Sequence, residues 1–550
     1  MRIIDPVVAA GEHYDICVVG AGPAGLAVAF GCASAGLSTL VLESGGMAPN
    51  DVAEHGHRAI IHDPAQHAPL EKVACRAFGG TSHWWGGNCN PFLDCEFASG
   101  EWPIPYGELA QWYPAAAKFL GCGSNFINEV HPPAVGRDGV FLDGISRQAA
   151  FPRDLSLTWQ RQAEAQSNLH VVLWAEVVGL NYGQGKKVSG VRACIAPSAE
   201  LHHFSAGTVV LAAAGLGTTR VLLAEQMRGA EFEGGRHLGR YYMGHLTGTG
   251  SKIRVQPEST GWGVRSPEEG EYIRERLLVG PNGFGQCHST AFWIGNFPLW
   301  DAEHRSGGKS AKYLLGKVAK TLKISSTDEA LDSRLGLQRT EWRPHLANIK
   351  KRPMDAFVTV VRTLRKLLSG GLQRLPDYPQ PERDGTYALW YHAEQLPSAE
   401  NVVQVEGPVA LNSLPPLSIK FSFSDEDVSL TVQAHLRLKK VFNESGSGIS
   451  MPDFDPDKLA ERIRKNAYDG YHQIGTTRMA ATPEKGMVDE NCKVFGVDNL
   501  YVASASVFPT SGHSNPTLTV VALAQRLAAH LSNKKTKAAV DLRLTEADGI

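Results

Sequence analysis

The sequence is short of paired cysteines and of net charge, and each shortage excludes a class of protein. Its nine cysteines, an odd number, show no C-x-x-C, zinc-type or haem-attachment spacing, so neither a disulfide framework nor a cysteine-bound metal is expected. The 54 lysines and arginines almost cancel the 56 acidic residues, which argues against a nucleic-acid-binding protein. We therefore expect a reducing compartment, no metal site and no nucleic-acid partner.

A secretory leader and a transmembrane segment are also missing from the pattern. Residues Met1–Tyr14 show no apolar stretch behind a basic start, and no twin-arginine pair precedes the first strand, so we predict a cytoplasmic protein. The apolar stretch Ile16–Leu42 is interrupted by glycines and by Pro23 where a tight turn needs them. This pattern favours a buried β-turn-α-β unit over a membrane span.

What the sequence does contain is the composition of a globular protein, with 43% hydrophobic and 20% charged residues over 550 positions. This composition excludes a disordered chain. The length predicts two large domains or about three to four smaller ones. No internal repeat or low-complexity tract interrupts the chain.

A glycine-rich turn near the N-terminus has the context of a dinucleotide-binding fingerprint. A short apolar strand, Asp15–Val19, leads into Gly20, Gly22 and Gly25, which open a predicted helix, and a second strand follows at Thr39–Leu42. The first glycine allows the tight turn, the second lets the backbone approach a pyrophosphate, and the third lets helix and strand pack closely. The helix N-terminus supplies unpaired N–H groups for the phosphates.

The residue at the end of the second strand selects the nucleotide. Glu43 stands where an acid accepts the ribose hydroxyls and repels a 2′-phosphate, so FAD or NAD is expected and NADP is not. Further along, strands are predicted at Leu169–Leu180, Lys187–Ala196 and Asn499–Ala503, and Thr208–Gly215 is predicted as a buried strand that turns into a helix from Thr218. A nucleotide domain assembled from separated segments is typical of large flavoproteins, which favours FAD.

The predicted fold class is α/β (α+β overall), with a Rossmann-like FAD-binding domain and a substrate-binding domain that has a mixed or antiparallel sheet and helices. We assign 1–100, 165–250 and 470–535 to the FAD-binding domain, 101–164 to a connecting or lid segment, 251–469 to the substrate domain and 536–550 to a polar tail. Residues 304–375 carry 16 basic and five acidic residues, a local balance of 16 − 5 = +11. A solvated helical surface explains this balance, and a rim for anionic substrate or lipid, or a contact with an acidic partner, remains open.

Several motifs give the chain a resemblance to a known family. It resembles the glucose-methanol-choline (GMC) flavoprotein oxidoreductases nearly end to end, and its pattern looks closest to the sugar- and glycoside-oxidising, pyranose oxidase-like branch. The segments that carry the resemblance beyond the fingerprint are Arg76–Gly87, Val209–Leu223, Leu238–His245, Tyr471–Met479, Gly496–Ala503, Ser506–Pro509 and Asn515–Thr519.

The resemblance implies that His472 and Asn515 are the catalytic pair. Alcohol oxidation removes a hydroxyl proton and a carbon-bound hydride, and an imidazole is suited to take the proton. His472 is then the general base, and the Asn515 amide holds the same oxygen. The flavin takes the hydride. Asn515 also precedes Pro516 and so stands at a predicted helix start. His513 is expected to be part of the loop structure.

The resemblance also implies the cofactor contacts and the substrate side. In some relatives a histidine directly before the tryptophan of the glycine-glycine segment is joined to the flavin, whereas Trp84 occupies that position here and His83 is one residue early, so non-covalent FAD is expected. Ser504 replaces an acid common in relatives. The expected substrate contacts are Gln395 or Glu394, unless their segment Tyr391–Pro397 is an ordinary strand edge. The expected cofactor-binding residues are Gly20, Gly22, Gly25, Glu43, Gly79, Gly80, Ser82, Trp85, Gly86, Val177, Ser504, Ala505, Pro516 and Thr517.

The predicted function is the FAD-dependent oxidation of a small-molecule alcohol, a sugar or glycoside, to a carbonyl compound. Two alternatives remain open: a lyase of the same fold without net redox chemistry, and a flavoprotein subunit of a larger electron-transfer complex. The electron acceptor, whether dioxygen, a quinone or a carrier protein, and the oligomeric state do not follow from the sequence.

Overall fold

The computed structural model describes residues 2–49, 59–97, 99–122, 140–142, 146–148, 154–256, 264–265, 272–274, 276–280, 288–321, 342–368, 385–446, 448–452 and 454–547. Its strands, in chain order, are β1 (Arg2–Ile3), β2 (His13–Val19), β3 (Thr39–Leu42), β4 (Ala59–Ile61), β5 (Asn88–Cys89), β6 (Val140–Leu142), β7 (Ser146–Gln148), β8 (Leu169–Val172), β9 (Ala175–Tyr182), β10 (Val188–Ile195), β11 (Glu200–Leu211), β12 (His245–Val255), β13 (Val264–Arg265), β14 (Tyr272–Arg274), β15 (Leu277–Val279), β16 (Thr290–Gly295), β17 (Thr386–Glu394), β18 (Val402–Val405), β19 (Leu417–Lys420), β20 (Ile449–Ser450) and β21 (Leu500–Val502).

The helices connect these strands and cover the faces of the sheets. In chain order they are α1 (Pro6–Ala10), α2 (Pro23–Ser34), α3 (Leu70–Val73), α4 (Asp94–Phe97), α5 (Tyr106–Ala110), α6 (Tyr113–Phe119), α7 (Ser156–Glu164), α8 (Ala214–Met227), α9 (Gly307–Thr321), α10 (Trp342–Lys351), α11 (Pro353–Leu368), α12 (Asp425–Ser445), α13 (Pro456–Asn466) and α14 (Pro516–Ala547). No helix within the described ranges combines the length and the apolar character that crossing a bilayer requires.

The largest sheet has eight strands in the order β1-β8-β3-β2-β11-β10-β9, with β21 paired to β11. Five neighbouring strands, β1, β8, β3, β2 and β11, pair in parallel, and β21 pairs in parallel with β11. Strands β10 and β9, which follow β11 in the order of the sheet, are antiparallel additions. The central strands β2, β3, β8 and β11 are largely buried and apolar where they pair, and helix α2 packs against β2, β3 and β8. Helices α2 and α14 pack closely, since a Cβ atom at Gly31 would lie 2.6 Å from the Ala528 Cβ. The carboxyl ends of β2, β3, β11 and β21 meet at one edge, where ligands bind in such sheets.

A second sheet of six strands is antiparallel throughout, in the order β20-β12-β17-β16-β15-β6. Helices α12 and α13 cover one face with buried residues such as Leu438 and Ile463. The pairing of β12 with β17 sets His245 opposite Glu394 and Thr247 opposite His392. This register brings the start of β12 and the end of β17 to the loop that precedes α14.

The predicted mixed α/β class, with parallel and antiparallel sheets, is confirmed. The strands predicted near Gly20 and Glu43 are present, and β11 starts eight residues earlier than the apolar run suggests, at Glu200. Helix α14 continues into the segment predicted as a polar tail, 536–550, as far as Ala547, because that segment has no proline and consists largely of helix-forming residues. The domain boundaries remain a prediction; β12 crosses the one placed at 250, and β6 comes from the segment 101–164.

Candidate functional site

A cavity lies at the edge of the large sheet where the carboxyl ends of the parallel strands meet. It extends from the first turn of α2 to the loop before α14, and it reaches the side chain of His472. Ten of the residues predicted to bind the cofactor or to act in catalysis line it: Gly20, Gly22, Glu43, Gly80, Val177, Ser504, Ala505, Pro516, Thr517 and His472.

The glycines of the fingerprint have the three geometric roles that the motif predicts. Gly20 has φ +104°, and a Cβ there would lie 2.6 Å from the Ala212 carbonyl oxygen. A Cβ at Gly25 would lie 2.0 Å from the Gly20 carbonyl oxygen, so helix and strand pack without a side chain between them. Gly22 faces open space, and no side chain caps the helix that begins at Pro23. These features fit a pyrophosphate held by the first-turn amide groups of α2.

Glu43 closes this end of the cavity. Its carboxylate accepts hydrogen bonds of 2.8 Å from the amide nitrogens of Ala21 and Gly45. Burial raises the pKa of Glu43, and those two amide groups act in the opposite direction. A buried carboxylate in this position retains acceptor capacity for the hydroxyls of a ribose.

The remaining predicted cofactor residues shape the site without lining the cavity. Gly79 has φ +99°, and its carbonyl oxygen accepts a 2.7 Å hydrogen bond from the Ser82 hydroxyl. A Cβ at the neighbouring Gly80 would lie 2.8 Å from the Gly22 Cα, so this turn lies directly on the start of α2. Trp85 and Gly86 follow the turn and, like Gly25, Gly79 and Ser82, are not lining residues.

His83, the weaker candidate for a covalent flavin bond, has partners on both ring nitrogens. Its Nε2 lies 2.9 Å from the Phe78 carbonyl oxygen, and its Nδ1 lies 3.0 Å from an Asp154 carboxylate oxygen. Both contacts hold the ring inside the protein. His83 does not line the cavity.

The two predicted catalytic residues lie next to each other, although 43 positions separate them in the sequence. The Nδ2 atom of Asn515 lies 3.2 Å from the Nε2 atom of His472. The other end of the amide, Oδ1, accepts a 3.3 Å hydrogen bond from Asn90. This second bond orients the Asn515 amide so that its NH₂ group points at His472.

The backbone around His472 is fixed by its neighbours. Gly470 and Tyr471 both have positive φ, of 67° and 65°, and the Tyr471 amide donates to the Asp469 carboxylate at 3.0 Å. Ile474 exchanges two backbone hydrogen bonds with Met243. The sharp turn before His472 therefore presents the imidazole toward α14, and a left-handed Tyr471 is a strained conformation of the kind that functional sites retain.

Two further histidines surround His472. The ring of His245 is fully buried and stacks on that of His392, with centroids 4.0 Å apart, and its Nδ1 lies 2.7 Å from the His472 Nδ1. Burial, together with the neighbouring imidazoles, lowers the pKa of both His245 and His392 well below its ordinary value, so both are neutral at pH 7.

The hydrogen bonds of these rings determine which nitrogens carry protons. Carbonyl oxygens only accept, so the His245 Nε2 donates to Ser511 at 3.2 Å and the His392 Nδ1 donates to His513 at 2.8 Å. A neutral His245 then has a lone pair on Nδ1, which accepts a hydrogen bond from the N–H group at the His472 Nδ1. The His472 Nε2 is left without a proton, as a base requires.

The same three rings are close enough to hold a metal ion. Their facing nitrogens lie within 4.8 Å of one another, and within the described ranges no other group of histidine, cysteine and acidic side chains is so placed. The sequence predicts no metal site, and the proton shared by His245 and His472 accounts for the contact without one.

A buried acidic cluster holds the loop that carries Asn515. The Glu96 carboxylate accepts from both the amide and the ring of His513, each at 2.7 Å. Despite the opposing effect of burial, the His513 ring lowers the pKa of Glu96. Glu394, by contrast, has its pKa raised to about 8 by burial and by Glu96. Ser289 links the two carboxylates, at 3.1 Å from Glu96 and 3.4 Å from Glu394.

The two predicted substrate contacts both have partners inside the protein. Glu394 belongs to the acidic cluster just described. The Gln395 side chain is fully buried, accepts from the Gly244 amide at 2.8 Å and donates to the Ser422 carbonyl at 2.9 Å. Neither residue lines a cavity beside His472.

A second cavity lies on the other side of the His472–Asn515 pair. Asn515 lines it, and Tyr471 lines both cavities, so the two cavities lie next to each other at Tyr471. Among the described residues that line it, none is acidic. The others are Asn88, Thr247, Arg276, Trp293, Trp390, His392, Tyr468 and Gly470.

Sequence reasoning missed four residues of this site, namely His245, His392, Arg276 and Trp390. Three of them lie in or directly beside segments that the motif analysis singled out, since His245 ends the segment 238–245 and β17 carries Trp390 and His392. No motif marks Arg276, which is buried and lies close enough to His392 to lower its pKa.

Comparison with known proteins agrees with this geometry. The family model for FAD dependent oxidoreductases matches residues 15–347, more than half of the chain, and the model for GMC oxidoreductases matches residues 397–524. The chain is 22% identical to the 2-methyl-1,2-propanediol dehydrogenase of Mycolicibacterium austroafricanum over an alignment of 617 positions, gaps included, that covers 98% of each chain. It is 40% identical to the choline oxidase of Arthrobacter globiformis over 73 residues, 13% of each chain.

Among solved structures, the fold is similar to that of a formate oxidase variant of Aspergillus oryzae. The TM-score is 0.55 at 15% identity, and the match covers 96% of this chain and 99% of the other. At that identity the likeness concerns the fold alone. Together with the two family matches, the nucleotide fingerprint and the cavity, it leads to one conclusion. The chain belongs to the FAD-dependent oxidoreductases and is an enzyme of the glucose-methanol-choline type.

Proposed function

We propose that this enzyme oxidises a sugar or glycoside hydroxyl to a carbonyl, with His472 as the general base and Asn515 holding the reacting oxygen. The observation that carries the proposal is the position of the pair. His472 lines the first cavity, Asn515 lines the second, and the Asn515 Nδ2 lies 3.2 Å from the His472 Nε2. A substrate bound in the second cavity would therefore reach the flavin side through these two side chains.

The hydrogen bonds support the division of roles. A hydroxyl placed beside both side chains, within reach of the His472 Nε2 and of the Asn515 NH₂ group, gives its proton to the former and accepts a hydrogen bond from the latter as its oxygen becomes more negative. Asn90 keeps that amide in the required orientation. FAD held by Gly20, Gly22 and Glu43 in the first cavity would supply the hydride acceptor.

We propose that the FAD is bound non-covalently. Trp84 stands where relatives with a flavin bond have a histidine, and both ring nitrogens of His83 are occupied by Phe78 and Asp154. Protein denatured in acid should release the flavin into the supernatant, and flavin that stays with the precipitate would contradict this part of the proposal.

The lining of the second cavity supports a neutral, oxygen-rich substrate. Trp293 and Trp390 line the cavity with their indoles nearly parallel, at an interplanar angle of 10°, and supply apolar surface for the C–H groups of a sugar ring. Asn88, Thr247 and His392 provide polar groups for its hydroxyls. Relatives are named for a small diol and for choline. The positive charge of Arg276 disfavours the choline cation in this cavity.

Anaerobic mixing of the FAD-loaded enzyme with a panel of alcohols tests the proposal. The panel contains neutral sugars and glycosides, 2-methyl-1,2-propanediol, an aryl alcohol and choline. We expect glycosides or sugars to bleach the oxidised flavin absorbance fastest and to yield a ketone or aldehyde. Faster bleaching by the diol or the aryl alcohol would contradict the substrate class, and product formation without bleaching would indicate a lyase. Peroxide measured after admission of air identifies dioxygen as the acceptor.

A further inference from the structure

Helices α9, α10 and α11 of the basic segment 304–375 pack together into a layer on the surface of the protein, on the side of the second sheet. Helix α9 packs against both α10 and α11. The layer is attached to the body through His345 and Asn348, whose side chains lie 3.1 Å from the Trp300 carbonyl oxygen and 2.8 Å from the Ala302 carbonyl oxygen. We call the outer surface of α9, α10 and α11 the helical layer. The site described above contains none of its residues.

The helical layer exposes large apolar side chains at helical spacing. On α11, Met354, Phe357 and Val358 follow one face, and the first two are 70% and 63% exposed. On α10, Trp342 and Leu346 stand four residues apart and are also exposed. With Leu315 and Val318 of α9, the layer has seven of the 16 exposed large hydrophobic residues in the described part of the chain. So large an apolar face indicates an interaction surface.

The same three helices also expose basic side chains. The exposed acid among the described side chains of the three helices is Asp355, and its carboxylate accepts hydrogen bonds from the Ser306 hydroxyl and the Gly308 amide. The surface therefore presents positive charge to any partner. The exposed bases of the layer and its connection are Lys312, Lys317, Arg343, Lys350, Lys351, Arg352 and Arg362.

We propose that the helical layer binds the surface of a membrane that contains anionic lipid. Exposed tryptophan, phenylalanine and methionine on one face, with lysine and arginine beside them, are the pattern of helices that lie in the plane of a bilayer interface. The apolar side chains enter the boundary of the acyl chains, and the bases contact the lipid phosphates. Lipid matches both features at once, because its acyl chains cover the apolar side chains and its phosphates pair with the bases. This proposal does not depend on the alcohol oxidation proposed above.

Vesicle binding by the full-length, FAD-loaded enzyme tests this inference. Vesicles of phosphatidylcholine alone are compared with vesicles that also contain phosphatidylglycerol, at low and at high salt. We expect binding to the anionic vesicles that weakens with salt, and little binding to neutral ones. The variants Phe357→Glu and Lys350→Glu should each lower the partition coefficient, Phe357→Glu by at least about tenfold. Leu411→Glu, at a residue 69% exposed outside the layer, is the matched control and should bind like the unmodified enzyme.

Flavin absorbance and thermal unfolding establish that each variant is folded. Three results would overturn the inference: no binding to anionic vesicles, equal binding to neutral vesicles, or undiminished binding by Phe357→Glu. Light scattering separates the other occupant that the surface could accept. If Phe357→Glu converts a dimer into a monomer while vesicles bind nothing, the helical layer is a contact between copies of this chain.

Discussion

The Nδ1 atoms of His245 and His472 lie 2.7 Å apart, and the buried His245 donates from its other nitrogen to the Ser511 carbonyl. Under the proposed function, His245 is a positioning residue that keeps the His472 Nε2 unprotonated. We expect His245→Phe to slow flavin reduction about tenfold or more, because His472 then loses the acceptor that selects its tautomer. The pH dependence of flavin reduction should change with it.

His245→Gln is the matched variant for this prediction. A glutamine amide can accept from His472 and donate to Ser511, so it should retain most of the rate. FAD content and thermal unfolding show whether either protein is damaged. Equal rates and equal pH profiles for His245→Phe and the unmodified enzyme would show that the contact does not position the base.

Loss of the proposed base should affect the chemical step and not the binding of FAD. We expect His472→Ala to slow anaerobic flavin reduction about 10²- to 10⁴-fold, because the hydroxyl proton loses its acceptor. Asn515→Ala should cost about 10²-fold, since one hydrogen-bond donor to the developing charge is removed. Stopped-flow absorbance gives both rates. His203→Ala, at an exposed histidine of β11, is the control. A His472→Ala protein that reduces its flavin as fast as the control would disprove the assignment.

The nucleotide half of the site could be predicted from the sequence because its determinants are local. The spacing from Gly20 to Gly25 and the strand that ends at Glu43 fix the turn, the helix start and the acid within one β-α-β unit. The structure adds no element to that unit that the spacing had not indicated.

The histidine cluster could not be predicted, because it depends on contacts between distant segments. His245 and His392 both lie in segments that the motifs mark, but they meet only through the register of β12 on β17, which no local pattern predicts. Glu394 is predicted as a substrate contact because its segment, Tyr391–Pro397, resembles a family strand that lines the substrate side. At the strand end, however, Ser289 and Glu96 surround its carboxylate. Sequence periodicity gives the face of a strand but not the residues that pack beyond its end.

Arg276 should control the charge that the second cavity accepts. Its guanidinium is buried among neutral lining residues, so a cationic alcohol such as choline is disfavoured by charge repulsion in a region of low dielectric. We expect a neutral glycoside to reduce the flavin at least about tenfold more efficiently than choline, and Arg276→Met to narrow that ratio. Arg254→Met, at an exposed arginine of β12, is the control. If the unmodified enzyme, Arg276→Met and Arg254→Met all show the same ratio of efficiencies for the glycoside and for choline, Arg276 does not have this role.

Glu394 should make the stability of the enzyme fall in mildly alkaline solution. Its pKa is raised to about 8 in the folded protein by burial and by Glu96, whereas a glutamate in an unfolded chain titrates near ~4.3. The folded state therefore holds a proton that the unfolded state has released. The stability that this proton contributes is complete below the pKa of the carboxyl in the unfolded chain, and it is lost as the pH rises through the pKa in the folded protein.

Replacing Glu394 by glutamine removes this ionisation while keeping the shape of the side chain. Between pH 7 and 9 (roughly the range around the folded pKa) the buried His245 and His392 stay neutral, so they do not obscure the effect. We expect the melting temperature of Glu394→Gln to fall less than that of the unmodified enzyme across this range. The corresponding free energies of unfolding should diverge by at most about 1.4 kcal/mol per pH unit. Glu400→Gln, at an exposed glutamate, is the control. Parallel melting curves for all three proteins would mean that Glu394 is already ionised in the folded state.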